Sequence, residues 1–496
     1  MNRKRPALAT GWLLLVAAGA CQKSALRFEE ELPRTACQPQ AEYWYRVDIM
    51  DQPAGSMWTA LSRCSPDRLL VVTRTRINVG GSGQEEIFEE LQALVTPQFE
   101  LRRLRSISRQ QEELITEAGL FKEKWLVARG PERRQLDYRP QARYLPGYRP
   151  LFPQGLPRAG ERIEYPVFDE EKGDWAEEVF TLISQPENGP PWRAEVRRRD
   201  EPLYRMELLL DEELVPLESK VELGRLRLNL VRTAGEPKVD APAEDMLEDF
   251  SSFAAPFPGD VRKLKKVVLR LAAPEEVNLS GLEGPGQRII GRQQGKLLVE
   301  VSRPAIPSSR PWPLKVPKEL HSYLQKTALV QADDPQILQL ARQEVSKAAD
   351  ALAAARSLYH LVVRTVYSTD GQSVSTARGV LASRRGDCDE QALLLVALSR
   401  AAGIPARSVF GLLWENGAFW GHAWAELWVG DWVAFDPAQR AESIGPGWLR
   451  LGEIPLGLGE VDSESWRRLW LIFADWKIEV LGDVASGDKS RYQVNE

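Results

Sequence analysis

The apolar residues of this chain recur with two different periods, and the change from one to the other constrains its fold more than any other feature. From about residue 38 to 235 the period is two: in YWYRVDIM, Tyr43, Tyr45, Val47 and Ile49 alternate with Trp44, Arg46 and Asp48. Such alternation gives an extended strand one apolar face. The pattern returns in LLVVTRTRINV, ELRRLRSIS, KWLVAR, EVFTLIS and GRLRLNLVRT, with the turn-forming stretches DQPAG and PENGPP between strands. A large antiparallel β region is therefore expected over 38–235. A linker or loop rich in proline, alanine and acid follows over 236–262, then a small β segment over 263–310 containing KKVVLRL and GKLLVEVSR. The proline-rich RPAIPSSRPWPLKVP breaks the pattern, since proline continues neither a helix nor a central strand.

Beyond it, over 315–482, the period becomes helical. DDPQILQLARQEV places an acid ahead of Pro335 at the first helical position, and DALAAARSLYHLVVRTV has apolar residues three and four apart. A third helix, CDEQALLLVALSRAAG, is stopped by Gly403 and Pro405. Strands then return in ARSVFGLLW, GHAWAELWV, DWVAFDP and LIFADWKIEVL, before a polar tail over 483–496. Helices followed by strands, after an all-β region, make the fold class α+β.

Residues 1–21 form an export signal. Arg3, Lys4 and Arg5 precede an apolar run too short to be a stable membrane span. Ala18, Gly19 and Ala20 before Cys21 resemble the lipobox of bacterial lipoproteins, which implies lipidation of Cys21 and a membrane anchor in the periplasm. Gln22, in place of aspartate, favours the outer membrane. The net charge of -5 is small for 496 residues, and Arg197, Arg198 and Arg199 sit among Glu195 and Asp200, so no nucleic-acid partner is expected. Disulfides persist outside the cytosol, and Cys37 and Cys64 are expected to pair, contributing about 3 to 4 kcal/mol in the chain-entropy model. Of four cysteines, Cys388 is left without a structural use.

Cys388 follows Gly386 and Asp387 at the start of the third helix, where the helix dipole favours a thiolate. A nucleophile needs a base, and the chain has three histidines. His321 follows the proline-rich break and His360 lies in an amphipathic helix, where packing or solvation accounts for each. His422 opens the strand HAWAELWV, and the next strand, WVAFDP, carries Asp436. A two-residue turn would set Asp436 opposite Ala425 and away from His422. A three-residue loop of Val429, Gly430 and Asp431 sets it opposite Trp424, on the histidine's face. The three-residue hairpin is therefore predicted. Cysteine, histidine and aspartate so arranged perform acyl transfer, with the Cys388 N–H as one oxyanion donor and Trp420, Trp424 or Gln372 as candidates for the second. With no CxxC pair or second nearby histidine, neither a metal nor another cofactor is expected.

RRGDCDEQALLLVALSRAAGIPARSVFG followed by GHAWAELWVGDWVAFDPA is similar to the transglutaminase-like core of bacterial proteins. The shared features are Gly386 with Cys388, Gly403 through Arg407, His422 with Trp424, and Asp436 with Pro437. The resemblance implies a papain-like core of helices packed on an antiparallel sheet. It implies Cys388 as nucleophile, His422 as base and Asp436 as orienting carboxylate, acting on amide or isopeptide bonds of proteins or peptides by hydrolysis or acyl transfer. Arg407 is expected to serve the fold. Among Trp414, Trp420, Trp424, Trp428 and Trp432, packing is the expected role, with Trp420 and Trp424, nearest His422, as substrate contacts. The β region has no histidine and no catalytic grouping, so it is expected to act as scaffold or to hold an envelope partner. In the competing reading the whole protein is a non-catalytic envelope binding or assembly lipoprotein with the core as scaffold.

Overall fold

A computed structural model describes residues 28–33, 37–79, 85–109, 113–170, 172–187, 189–199, 201, 204–223, 226–239, 252–257, 260–272, 280–305, 308–368, 376–457 and 476–482. The lipobox-like segment with Cys21, the polar tail and Gln372 lie outside the described residues.

The β region is one antiparallel meander of fourteen strands. It starts in the middle with β1 (Gln38–Ile49) and β2 (Gln52–Ser65). It winds outward through β3 (Arg68–Val79), β4 (Glu85–Val95), β5 (Leu101–Arg109), β6 (Glu113–Phe121), β7 (Lys124–Arg129) and β8 (Glu132–Asp137). A crossing segment leads to the opposite edge, β9 (Arg162–Asp169). The chain returns through β10 (Asp174–Ser184), β11 (Trp192–Arg198), β12 (Tyr204–Leu210) and β13 (Pro216–Leu223) to β14 (Leu226–Thr233), which pairs with β1. The two edges meet through side chains. Trp125 of β7 lies 5.6 Å from Phe168 of β9 and 5.1 Å from Trp175 of β10, and Arg134 pairs with Asp174 at 2.6 Å. The curled sheet encloses two apolar clusters, one around Trp125, Leu104 and Val71, the other around Phe180, Trp192 and Leu210. Cys37 and Cys64 are joined in a disulfide beside β1 and β2.

DQPAG is not the turn that its composition suggested. The turn is Met50–Asp51, both at positive φ, and Ile49 pairs directly with Gln52. Pro53 pairs with Asp48, and Ala54 is the extra residue at the register shift between Val47 and Asp48. Gly55 lies inside β2 because a Cβ there would stand 2.0 Å from the carbonyl oxygen of Arg76.

The rest of the chain builds two further sheets and a helical layer. One sheet is ordered β17 (Gln287–Gln293), β18 (Lys296–Ser302), β16 (Lys266–Ala272), β23 (Lys477–Gly482). The other is ordered β15 (Ser252–Ala254), β20 (Ala418–Trp428), β19 (Ala406–Glu415), β22 (Trp448–Ile454), with β21 (Trp432–Phe435) also on β20. Val267, Leu269 and Val299 of the first sheet share a core with Phe410, Phe419 and Leu449 of the second. The expected separation of 236–262, 263–310 and 315–482 is thus corrected. The supposed linker supplies β15 to the edge of β20, and the last strand pairs back onto β16. Alternation identifies a strand but not its partner, and these partners lie far apart in sequence.

Helices α1 (Pro335–Val345), α2 (Ala351–Thr365) and α4 (Cys388–Ala402) cover Ala425, Leu427 and Phe435 of the sheet. Short α3 (Ala377–Ser383), capped by Thr376, has too little periodicity to be seen in sequence. Asp334 and Asp350 cap α1 and α2 by accepting backbone N–H bonds. α4 is apolar nearly all round, with Leu393 through Leu398 buried, as a central helix must be. The proline-rich stretch forms a strap. Arg310 donates its N–H to the Val429 carbonyl at 3.0 Å and accepts from Ala351 N–H at 2.9 Å, tying the β20–β21 hairpin to the start of α2.

Candidate active site

Cys388 is the first residue of α4, so no carbonyl within the helix faces its N–H. The turn into the helix is tight for a specific reason. Glu390, 3% exposed, folds back to accept the Asp387 N–H at 2.9 Å. A Cβ on Gly386 would stand 2.8 Å from Glu390 Cβ and 2.9 Å from its carboxylate, so this position needs glycine. Gln391, one turn along, donates to the Gly386 carbonyl at 3.0 Å and to Ser368 Oγ at 3.1 Å.

His422 sits in a gap along β20. On one side of this strand β15 pairs with residues 418–420 and β21 with 425–428, and among the described residues no ladder partner covers 421–424 between them. The β20–β21 hairpin has the three-residue loop, with Trp428 paired to Trp432 and Val429 N–H donating to the Asp431 carbonyl at 3.0 Å. Asp436 follows the last paired residue, Phe435, and so falls opposite Trp424. Its Oδ2 lies 2.7 Å from His422 Nε2. This carboxylate is wholly buried and closely held. Trp448 donates its indole N–H to the same Oδ2 at 2.8 Å, the Gln439 N–H donates to Oδ1 at 3.0 Å, and the Asp436 backbone exchanges two bonds with Ala441.

With Nε2 committed to Asp436, Nδ1 is the nitrogen left for the Cys388 thiol, whose proximity adds to the rise in the imidazole. Burial works against a charge on His422, but the Asp436 carboxylate and the Cys388 contact outweigh it and raise the imidazole from 6.5 to about 10. The folded state therefore binds this proton more tightly than the unfolded chain. Its contribution to stability is complete below about pH 6.5 and lost as pH rises through about 10. The expected result is that the Tm advantage of wild type over His422→Gln shrinks steadily between those limits. A constant difference across that range, in a series of thermal melts, would contradict the charged pair.

Next to the thiol, burial and a hydrogen bond to Asp389, together with the charges of Asp389, Cys388 and Glu390, push the Asp387 carboxyl up to about 11. The raised carboxyl places less negative charge beside the Cys388 thiol. The ligand atoms of Asp387, Cys388 and Asp389 lie within 4.8 Å of one another, and the hydrogen bond between the two acids accounts for part of that closeness.

The structure thus brings Cys388, His422 and Asp436 together and keeps the other histidines apart from them. His360 pairs with Glu442 at the surface, and His321 is exposed on a short turn. The expected substrate contact by Trp424 is corrected. Trp424 is 0% exposed and lies over Gly411, where a Cβ would meet its ring at 2.5 Å. Its indole N–H is buried, with no acceptor among the described residues, and solvent does not reach it. Trp420 stays half-exposed, but its N–H is bonded to the Glu415 carbonyl at 3.2 Å, which removes it as an oxyanion donor. Arg407 bonds the buried Glu426 at 2.6 Å and stacks 4.1 Å from the Trp432 ring. Trp448 could not be found from sequence. Its strand lies beyond the family-like segment, and nothing in WLRLGEI marks a partner for a carboxylate.

Residues 338–437 match the family model of the transglutaminase-like superfamily, a span that contains Cys388, His422 and Asp436. No curated protein matches the sequence. Among solved structures, the chain is similar to a candidate cysteine protease from Cytophaga hutchinsonii, at 17% identity over 43% of this chain and 82% of that one, with a TM-score of 0.29. It is also similar to a β-barrel-like protein from Brucella abortus, a domain of unknown function, at 13% identity over 40% of this chain and 98% of that one, with a TM-score of 0.30.

Proposed function

We propose that this protein is an exported, lipid-anchored cysteine enzyme that cleaves or transfers acyl groups at amide or isopeptide bonds of proteins or peptides. The observation that carries the reading is the 2.7 Å contact between His422 Nε2 and Asp436 Oδ2, set by the length of the hairpin, which leaves Nδ1 free of Asp436. The Cys388 sulfur attacks the amide carbonyl carbon, and the carbonyl oxygen takes the displaced electron pair beside the Cys388 N–H. Collapse expels the amine, which leaves with the proton from His422 Nδ1, and a thioester remains on Cys388. Water or a second amine, deprotonated by His422, then attacks the thioester and releases the thiol. Asp436 holds the ring in one orientation and stabilises its charged form throughout. The transglutaminase-like match over 338–437 supports this chemistry.

Reaction with p-nitrophenyl acetate tests it. A burst of nitrophenolate of about one equivalent per protein is expected, with an acetyl group on Cys388 in the intact mass. Cys388→Ser should give neither. A wild-type protein without burst or adduct would leave the site non-catalytic. The same mass spectrum reads the anchor. A membrane-extracted chain that begins at Cys21 and carries lipid is expected, and an unmodified chain beginning elsewhere would reject lipidation.

A further inference from the structure

The rim of the nucleophile carries two cations and an aromatic ring that the proposed chemistry leaves unused. Arg384 and Arg385 are exposed and make no ion pair among the described residues. Tyr367, 72% exposed, is one of the few large apolar side chains left open to solvent among the described residues. These three residues are fixed to one another by backbone bonds. Arg384 ends α3 at φ 57° with its N–H on the Val380 carbonyl at 2.9 Å. Tyr367 N–H donates to the Arg384 carbonyl at 2.9 Å, and Gly386 N–H donates to the Tyr367 carbonyl at 3.1 Å. Gln391 of α4 holds the Gly386 carbonyl. The cations are thus mounted on backbone that is continuous with the catalytic helix. Arg385 lies three residues from Cys388, so its Cα is within about 11 Å of the nucleophile's, a distance comparable to the Debye length of about 8 to 10 Å.

Among the described residues, two of the three acids in the first turn of α4 are already engaged. Glu390 is buried against the Asp387 N–H, and Asp387 shares a hydrogen bond with Asp389. Asp389 is the one exposed carboxylate of this first turn.

We infer that Arg384, Arg385 and the ring of Tyr367 form a subsite for an acidic peptide amide, whose carboxylate lies against the two guanidinium groups while its carbonyl faces Cys388. This assignment rests on the catalytic reading of Cys388. The arginines offer forked donors suited to a carboxylate, and the exposed ring offers an apolar wall for the stem that carries it.

The test uses two probes of one shape, N-iodoacetyl-glutamate and the neutral N-iodoacetyl-glutaminamide, on the full chain carrying Cys21→Ser, so that Cys388 is the one thiol outside the Cys37–Cys64 disulfide. Wild type is expected to react faster with the acidic probe, and the ratio of rates should fall about fivefold in Arg384→Gln/Arg385→Gln, the size expected for two exposed ion pairs. Arg384→Lys/Arg385→Lys should keep most of the ratio, and Tyr367→Ala should slow both probes about twofold to threefold. A ratio that is unchanged in the Gln double variant, with Cys388 still reacting faster than in the unfolded chain, overturns the subsite and leaves the catalytic reading standing. Cys388 reacting with both probes no faster than in the unfolded chain overturns the catalytic reading itself.

Discussion

With His422 replaced by alanine, Cys388 is expected to lose about tenfold to a hundredfold of its alkylation rate at pH 6 while losing little at pH 9. The reason lies in the hairpin. Asp436 takes Nε2 at 2.7 Å, so the ring meets the thiol through its other nitrogen, and the raised imidazole stays charged through neutral pH. A thiolate is stabilised by that positive charge. Without the ring that stabilisation is lost, and the loss matters least at high pH, where any thiol is largely ionised. The range allows for the weaker intrinsic nucleophilicity of a thiolate stabilised by a neighbouring charge. Asp436→Asn should fall between wild type and His422→Ala, because the amide still holds the ring but adds no charge. Stopped-flow labelling with iodoacetamide from pH 5 to 10 decides the matter. An equal loss at pH 6 and pH 9 would point to a disturbed fold, and no loss at pH 6 would remove His422 from the chemistry.

The largest effect on stability is expected from Glu426→Ala, at about 3 to 5 kcal/mol. Glu426 is wholly buried on β20, four residues past His422, and it bonds Arg407 at 2.6 Å and Arg450 at 3.2 Å. Both arginines reach Glu453 as well, and Tyr323 donates its hydroxyl to Glu453 at 3.1 Å. Arg450 is also held from the other sheet, where Gln287 bonds its N–H and its carbonyl at 2.8 Å each. Removing the central carboxylate strands two guanidinium groups where water cannot replace it. The cost comes from that stranding more than from the net worth of the ion pairs. Glu479→Ala is the control. Its pairing with Arg270 is half-exposed, and its loss should cost at most about 1 kcal/mol. Urea unfolding followed by tryptophan fluorescence measures both. A cost for Glu426→Ala below about 1 kcal/mol would show that water or a shifted acid satisfies the arginines.

The same network shows where sequence reasoning stops. Arg407 was assignable to the fold because it ends a Gly-Ile-Pro-Ala-Arg element joining helix to strand. Its partner, Glu426, was invisible because it is simply the polar member of an alternating strand, and alternation normally sends such a residue to solvent. Here that face of β20 is covered, so an acid becomes central and Trp424, two residues earlier, becomes core instead of groove.

By itself the sequence determined the element types, the α+β class, the position of Cys388 at a helix start, and the three-residue hairpin that aligns His422 with Asp436. These are local properties: a side-chain period of 2 or 3.6, a cap, a proline, a loop length. Tertiary structure alone decided which strands pair across long separations, as β15 and β23 do, and which of two similar tryptophans is buried. It also decided that Trp448 holds the Asp436 carboxylate and that, among the described residues, Arg384 and Arg385 make no ion pair. Those outcomes depend on which groups are excluded from water together, and that is a property of the assembled chain that no window of the sequence contains.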